Sequence, residues 1–190
     1  MNDSRPPNRP LRGNEFLAFS QESSGGSKEF HHLVASPTRL VIIDTLVDDD
    51  LGYETVIQVS RKISIWIVNA MTSLLLPLDE GGTSSSTFSL EHADGDTKLN
   101  LSRTASVEAE DDPGFSLYAV TADQGEDGVE SVTWSDRLLF DRGLFATLRA
   151  IAAETAAMQG IPAPRREATA IRPNWMGKSP DETPPLDLAQ

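Results

Sequence analysis

Residues 88–102 read FSLEHADGDTKLNLS, and the fold is read outward from this stretch. Asp-Gly favours a two-residue type I′ turn, because both central positions need positive φ. With Asp94 and Gly95 as the central pair, Leu90 faces Leu99 and Phe88 faces Leu101 on one side of the ribbon. On the other side Glu91 faces Lys98 and Ser89 faces Asn100. Hydrophobic alternation, turn chemistry and cross-strand charge agree on a β-hairpin in this register.

Toward the C-terminus a second hairpin is expected, Phe115–Ala122 with Val129–Trp134, introduced by the turn Asp112-Pro113-Gly114 and closed by the acidic loop 123–128. A helix then runs from Ser135 or Asp141 to Gln159. Leu144, Leu148, Ile151, Thr155 and Met158 recur at helical spacing, and Ala146, Ala150, Ala153 and Ala157 form a second, small-residue face suited to close approach. Gly160 and Pro162 stand where a helix stops.

Toward the N-terminus, Arg39–Val47 (RLVIIDTLV) is a β-branched run of strand length, apolar enough for an inner strand covered on both faces. Residues 51–76 carry two conflicting signals. Ile63, Ile65 and Ile67 alternate as in a strand. At 100° per residue, however, Val56, Val59, Ser60, Ile63, Ile67, Ala70, Met71 and Leu74 share one helical face. With Asp50 as N-cap and Pro77 past the end, the spacing predicts a helix over the whole stretch. Ile65 and Trp66 fall on its wet side, which suggests contact with a tail or a second chain. No internal repeat is visible. The fold class is therefore α+β: an antiparallel sheet of about five strands with two helices packed on one face, flanked by Pro-rich tails.

The sequence divides into an N-terminal arm (1–29), a domain (30–160) and a Pro-rich C-terminal tail (161–190). The arm holds Pro6, Pro7 and Pro10 and a Ser/Gly run, and reads as flexible. Each tail also carries a small apolar island: Phe16, Leu17 and Phe19 in the first, Ile171, Trp175 and Met176 in the second. The apolar stretch 63–78 is too short for the ~20 residues of a membrane span and is interrupted by Ser64, Asn69, Thr72 and Ser73. With no cysteine in the chain, disulfides and thiolate chemistry are excluded, which fits a cytoplasmic protein.

Net charge is −13 and unevenly placed. Residues 41–154 carry 7 basic and 21 acidic groups, a net of −14, whereas residues 1–40 net +1 and residues 155–190 balance. Phosphate binding draws affinity from Lys and Arg, so the acidic domain is not expected to bind nucleic acid or anionic lipid directly; it would attract a basic partner.

No residue is assigned a catalytic role, and no cofactor or metal is expected. His31 and His32 are adjacent, and neighbours on a strand point to opposite faces, so they do not chelate one ion. His92 falls on the core side of the first hairpin. Asp94-Gly95-Asp96 lacks the spacing and closing Glu of an EF-hand. There is no Gly-x-Ser-x-Gly elbow, no phosphate-binding glycine loop and no interleaving of basic and aromatic residues.

The expected function is a non-enzymatic, acidic protein-binding subunit or adaptor, an inhibitor, immunity or chaperone-type module among its versions. Its partner would be basic, or would offer apolar grooves for the tails. The residues expected to meet it are Phe16, Leu17, Phe19, Ile65, Trp66, Asp123, Glu126, Asp127, Trp175 and Met176. Two alternatives remain: a small enzyme using His31, His32, Asp44 and His92, and a nucleic-acid-linked regulator using Arg5, Arg9, Arg12, Arg165, Arg166 and Arg172.

Overall fold

A computed structural model describes residues 15–21, 28–48, 51–76, 82–83, 89–104, 113–121 and 128–164. Four strands, β1 (Glu15–Gln21), β2 (Lys28–Ala35), β3 (Arg39–Asp48) and β4 (Leu51–Ser60), form an antiparallel sheet in that order and lead into α1 (Ile63–Leu75). Four more, β5 (Ser89–Asp94), β6 (Thr97–Thr104), β7 (Gly114–Thr121) and β8 (Val129–Ser135), form a second such sheet. They lead through a π-type turn at Arg137–Asp141 into α2 (Leu144–Gln159). The architecture is α+β, but with two four-stranded sheets instead of one of about five strands. Its ββββα order is repeated without any sequence repeat.

Three strands are additional to the five expected: β1, β4 and β2, the last over Lys28–Ala35, where the sequence suggested no element. Residues 15–21, read from sequence as part of an arm, form β1 on the edge of the first sheet, and Phe16 enters the core. Leu51–Ser60, read as the first half of a helix, is β4. Val56 and Val59, which share a helical face, belong to an alternating run: Ile57 and Val59 are buried, whereas Val56 and Gln58 are exposed. Ten cross-strand partners in β3 outweigh the helical pattern of one isolated segment. The helix begins only at Ile63, after Arg61 and Lys62, and Asp50 does not cap it.

The hairpin around Gly95 forms, in a register shifted by two. Leu90 pairs with Leu101, His92 with Leu99, Glu91 with Asn100 and Ala93 with Lys98. The central turn residues are Gly95 and Asp96, and Gly95 has φ 64°. Asp94 is the last strand residue, because the first sheet engages its carboxylate. The Ser60 backbone N–H donates to Oδ2 (2.5 Å) and the Ser60 hydroxyl to Oδ1 (2.7 Å). A shift of two preserves the faces, so Leu99 and Leu101 are buried as the pattern demands.

The second hairpin pairs Tyr118 with Ser131 and Leu117 with Val132, and α2 ends at Gly160, whose φ is 66°. Leu144, Leu148, Ile151 and Thr155 are buried on α2, whereas Met158 is exposed. The alanine face expected to take a close neighbour is exposed instead: Ala146, Ala150, Ala153 and Ala157 face solvent, and Ala152 and Ala156 are the buried small residues. β3 is an inner strand with one covered face only. Leu40 and Ile42 point into the core, while Val41 and Ile43 on the other side are half-buried.

The two helices pack on each other, α1 against β5 and β6 and α2 against β1. Two arginines, Arg61 buried and Arg103 half-buried, tie elements together. Arg61 donates to the Thr155 hydroxyl (2.9 Å), the Ser36 carbonyl (3.0 Å) and the Glu154 carboxylate (2.5 Å). Arg103 forms a two-pronged pair with the fully buried Asp136 (2.5 Å for each contact) and lies over the Phe115 ring.

Candidate functional site

The inward face of the first sheet changes character along its length. Leu40, Val59, Leu33, Ile42 and Ile57 are buried nearest the helices. The next cross-strand row holds Ala18, His31, Asp44 and Thr55, and beyond it lie Glu29, Leu46 and Tyr53. His31 is only 4% exposed. Its Nδ1 lies 3.0 Å from Asp44 Oδ1 and its Nε2 3.5 Å from Glu29 Oε2. Burial opposes a charge here, but the two carboxylates outweigh it and raise the imidazole pKa to about 9. Asp44 is pushed upward by burial, against the pull of His31. It also accepts the backbone N–H of Thr133.

That last bond explains why polar residues stand here. β8 ends the second sheet and lies against β3 and β4. An unpaired strand edge laid on another sheet has N–H groups that need acceptors. Asp44 supplies one, and His31 orients Asp44. A carboxylate faces each ring nitrogen, which favours the protonated imidazole, a form with no free lone pair for general-base work.

The other residues weighed for an enzyme do not join it. His32, on the opposite face of β2, meets Glu15 at 3.0 Å between Nε2 and Oε1. His92, in the second sheet, is exposed and stacks on Trp66 at 5.2 Å between ring centroids. Among the described residues no group of three or more His, Asp or Glu could hold a metal ion. No helix among them is long and apolar enough to cross a membrane.

The clearest surface feature is the far end of the β3–β4 hairpin. Tyr53 is 62% exposed, Leu46 41%, Val56 40% and Val47 39%. Leu46 and Tyr53 are cross-strand partners on one side of the ribbon, and Val47 and Val56 lie on the other. Val56 continues a row through Ile43, His32 and Leu17, of which Ile43, His32 and Leu17 are half-buried. Asp48 sits at the end of β3 and Glu54 is exposed on β4.

Of the residues expected to meet a partner, Phe16 is buried and Leu17 half-buried in β1, the latter on the outward face. Phe19 lies in β1, with no described side chain. Ile65 and Trp66 are partly buried against the core, Trp66 beneath His92. Asp123, Glu126, Asp127, Trp175 and Met176 lie outside the described residues. The hairpin set of Leu46, Val47, Tyr53 and Val56 was missed because residues 51–60 were read as helix. An available signal was the run Leu46-Val47 continuing to the triple aspartate, with Tyr53 three residues beyond it. No protein-family pattern matches this chain, and no curated protein matches it.

Proposed function

We propose that this chain is a non-enzymatic protein-binding module, a subunit or adaptor that engages a basic partner through the exposed end of β3–β4. One observation carries the reading. Leu46 and Tyr53, cross-strand partners, are exposed together on one face of the hairpin end, and Val47 and Val56 are exposed on the other face. Single exposed apolar residues are ordinary, but an exposed cross-strand pair of large apolar side chains near charged residues has the composition of an interface centre. Acidic residues stand close by: Asp48 ends β3 and is followed in sequence by Asp49 and Asp50, and Glu54 is exposed on β4. A partner of matching chemistry presents an aromatic or aliphatic strip bordered by Lys and Arg. An inhibitor or chaperone-type role is a specific form of this reading, and the absence of cysteine fits a cytoplasmic setting.

The enzyme alternative is weakened by His31, whose nitrogens both face carboxylates. The nucleic-acid alternative rests on tail arginines that lie outside the described residues. The test is a paired capture from the native host with the wild-type chain and a Tyr53→Ser/Val56→Ser variant. A protein retained by the first and lost by the second, at matched thermal stability, is expected. Retention of the same proteins by both would overturn the reading.

A further inference from the structure

We infer that the open edge of β4, over residues 52–56, takes an extended segment of the basic partner as a fifth strand of the first sheet. The inference rests on the protein-binding reading above and adds the mode of recognition and the pattern of the segment recognised.

The first support lies in the backbone. β4 is the last strand of its sheet, so one of its sides has no strand neighbour. Two hydrogen bonds fix which residues face that side. The Arg61 N–H donates to the Thr38 carbonyl across the hairpin (2.9 Å), while the Ser60 N–H turns away from β3 to Asp94 Oδ2 (2.5 Å). Orientation alternates along an antiparallel strand, and pairing with β3 runs unbroken from Leu51 to Ser60. Gly52, Glu54 and Val56 therefore share the orientation of Ser60, with N–H and C=O directed at the open edge. All three residues are exposed. β8 meets this sheet on its inward face, where the Thr133 N–H reaches Asp44, and it forms no ladder with β4. Asp94 takes up the edge at Ser60, but among the described residues no hydrogen bond does so at Gly52, Glu54 or Val56. A row of such groups is a template for another strand.

The second support lies in the side chains and their charge. An added strand touches both faces of a sheet, which accounts for exposed apolar residues on each. Tyr53 stands on the inward face beside Leu46, and Val56 on the outward face beside Ile43. Gly52 has no side chain, and a Cβ there would meet only the Leu46 carbonyl, at 4.0 Å, so a second backbone can come close. Residues 41–154 net −14, so an edge bearing Glu54 repels a second copy of this chain. The same edge favours a strand with Lys or Arg opposite Glu54 on the outward face. Alternation then sets apolar residues of that strand on the inward face beside Tyr53. The recognised segment is therefore extended, about five or six residues long, and alternates basic with apolar side chains.

A capped octapeptide of alternating lysine and valine serves as the probe. Hydrogen exchange followed by NMR on the full chain is expected to slow at the Gly52, Glu54 and Val56 amides when the peptide binds. The Tyr53 and Thr55 amides, directed at β3, should not change. Methylating alternate peptide nitrogens should abolish binding in one frame and spare it in the other, with the protein unaltered. Glu54→Pro removes an N–H that points away from β3, so it should leave the melting temperature nearly unchanged. It should weaken the peptide by about tenfold, the effect of losing one or two hydrogen bonds. Absence of binding, protection without alternation, or equal effects of the two methylation frames would overturn the inference. So would alternating protection that grows with protein concentration in the absence of peptide, since the occupant would then be a second copy. A host protein captured through Tyr53 and Val56, and held equally well by Glu54→Pro, would sink only this inference. Capture that ignores Tyr53 and Val56 would sink the reading beneath it.

Discussion

At the scale of single residues, the pair His31 and Asp44 shows how a group that resembles catalytic machinery serves architecture. Asp44 accepts from an edge N–H of β8, and His31 neutralises it out of reach of solvent. Removing one member of a buried ion pair costs about 3–5 kcal/mol, because the other is left charged and unmatched. Asp44→Ala is therefore expected to lose about that much in denaturant unfolding, and His31→Gln less, since the amide still donates to Asp44. Stability should also depend on pH in a defined direction. The folded protein holds the His31 proton up to about pH 9, against 6.5 for an ordinary histidine. Its contribution is complete below pH 6.5 and is lost as pH rises through 9. One pH unit of difference is worth about 1.4 kcal/mol, so a fall of about 3 kcal/mol is expected. Unfolding free energy measured from pH 6 to 9.5 should drop in the wild type and stay nearly level in His31→Gln. A level wild-type profile would mean that the imidazole is neutral in the fold.

At the scale of elements, the β5–β6 hairpin separates what pattern fixes from what partners fix. Alternation of Leu90, Leu99 and Leu101 determines which face is buried, and any even shift satisfies it. The shift itself is chosen by Ser60, which binds the Asp94 carboxylate from the other sheet. Burial works against that charge, but the two Ser60 hydrogen bonds and the nearby Lys62 ammonium bring the Asp94 pKa below the ordinary carboxylate value. Paired cysteines test the register directly. Ala93→Cys with Lys98→Cys places the two residues opposite each other and should form a disulfide readily, whereas Glu91→Cys with Lys98→Cys should not. The reverse result would restore the register with Asp94 and Gly95 in the turn. Leu99→Asp, at a buried position, should also cost several kcal/mol, while Lys98→Ala on the exposed face should cost under about 1 kcal/mol.

The same distinction governs what was legible in the sequence. The second hairpin, the inner position of β3 and the Gly160 stop of α2 rest on local chemistry, and each could be read directly. β4 could not, because Val56, Val59 and Ile63 satisfy helical spacing, and only pairing with β3 decides between the two. β1 was hidden for a related reason: a short strand beside proline-rich sequence becomes a strand only when β2 is there to receive it. The candidate interface then followed β4 out of sight, since Tyr53 joins Leu46, and Val56 joins Ile43, only once the two strands pair. Trp66 was noticed for its poor helical position, and its stacking on His92 is the tertiary contact that accounts for it.

At the scale of the whole molecule, the separation of charge is the property with the longest range. The acidic surplus lies between residues 41 and 154, which hold the described strands and helices except β1, β2, the start of β3 and the last part of α2. A basic partner approaching it is steered over roughly a Debye length, which contracts from about 10 Å at 0.1 M salt to about 3 Å at 1 M. Association should therefore slow as salt rises, while the lifetime of the complex changes little, because apolar contacts at Leu46, Val47, Tyr53 and Val56 hold it once formed. Reversing Asp123, Glu126 and Asp127 to lysine tests the steering alone, and should slow association at low salt without altering dissociation. Tyr53→Ser with Val56→Ser should do the opposite and speed dissociation by at least about tenfold, corresponding to the ~1.4 kcal/mol expected for loss of an aromatic anchor. Stopped-flow or surface-binding kinetics with the captured partner, repeated from 0.05 to 1 M salt, separates the two effects. An association rate that ignores salt would show that the charge is a matter of solubility, and that the partner is chosen by the apolar hairpin end alone.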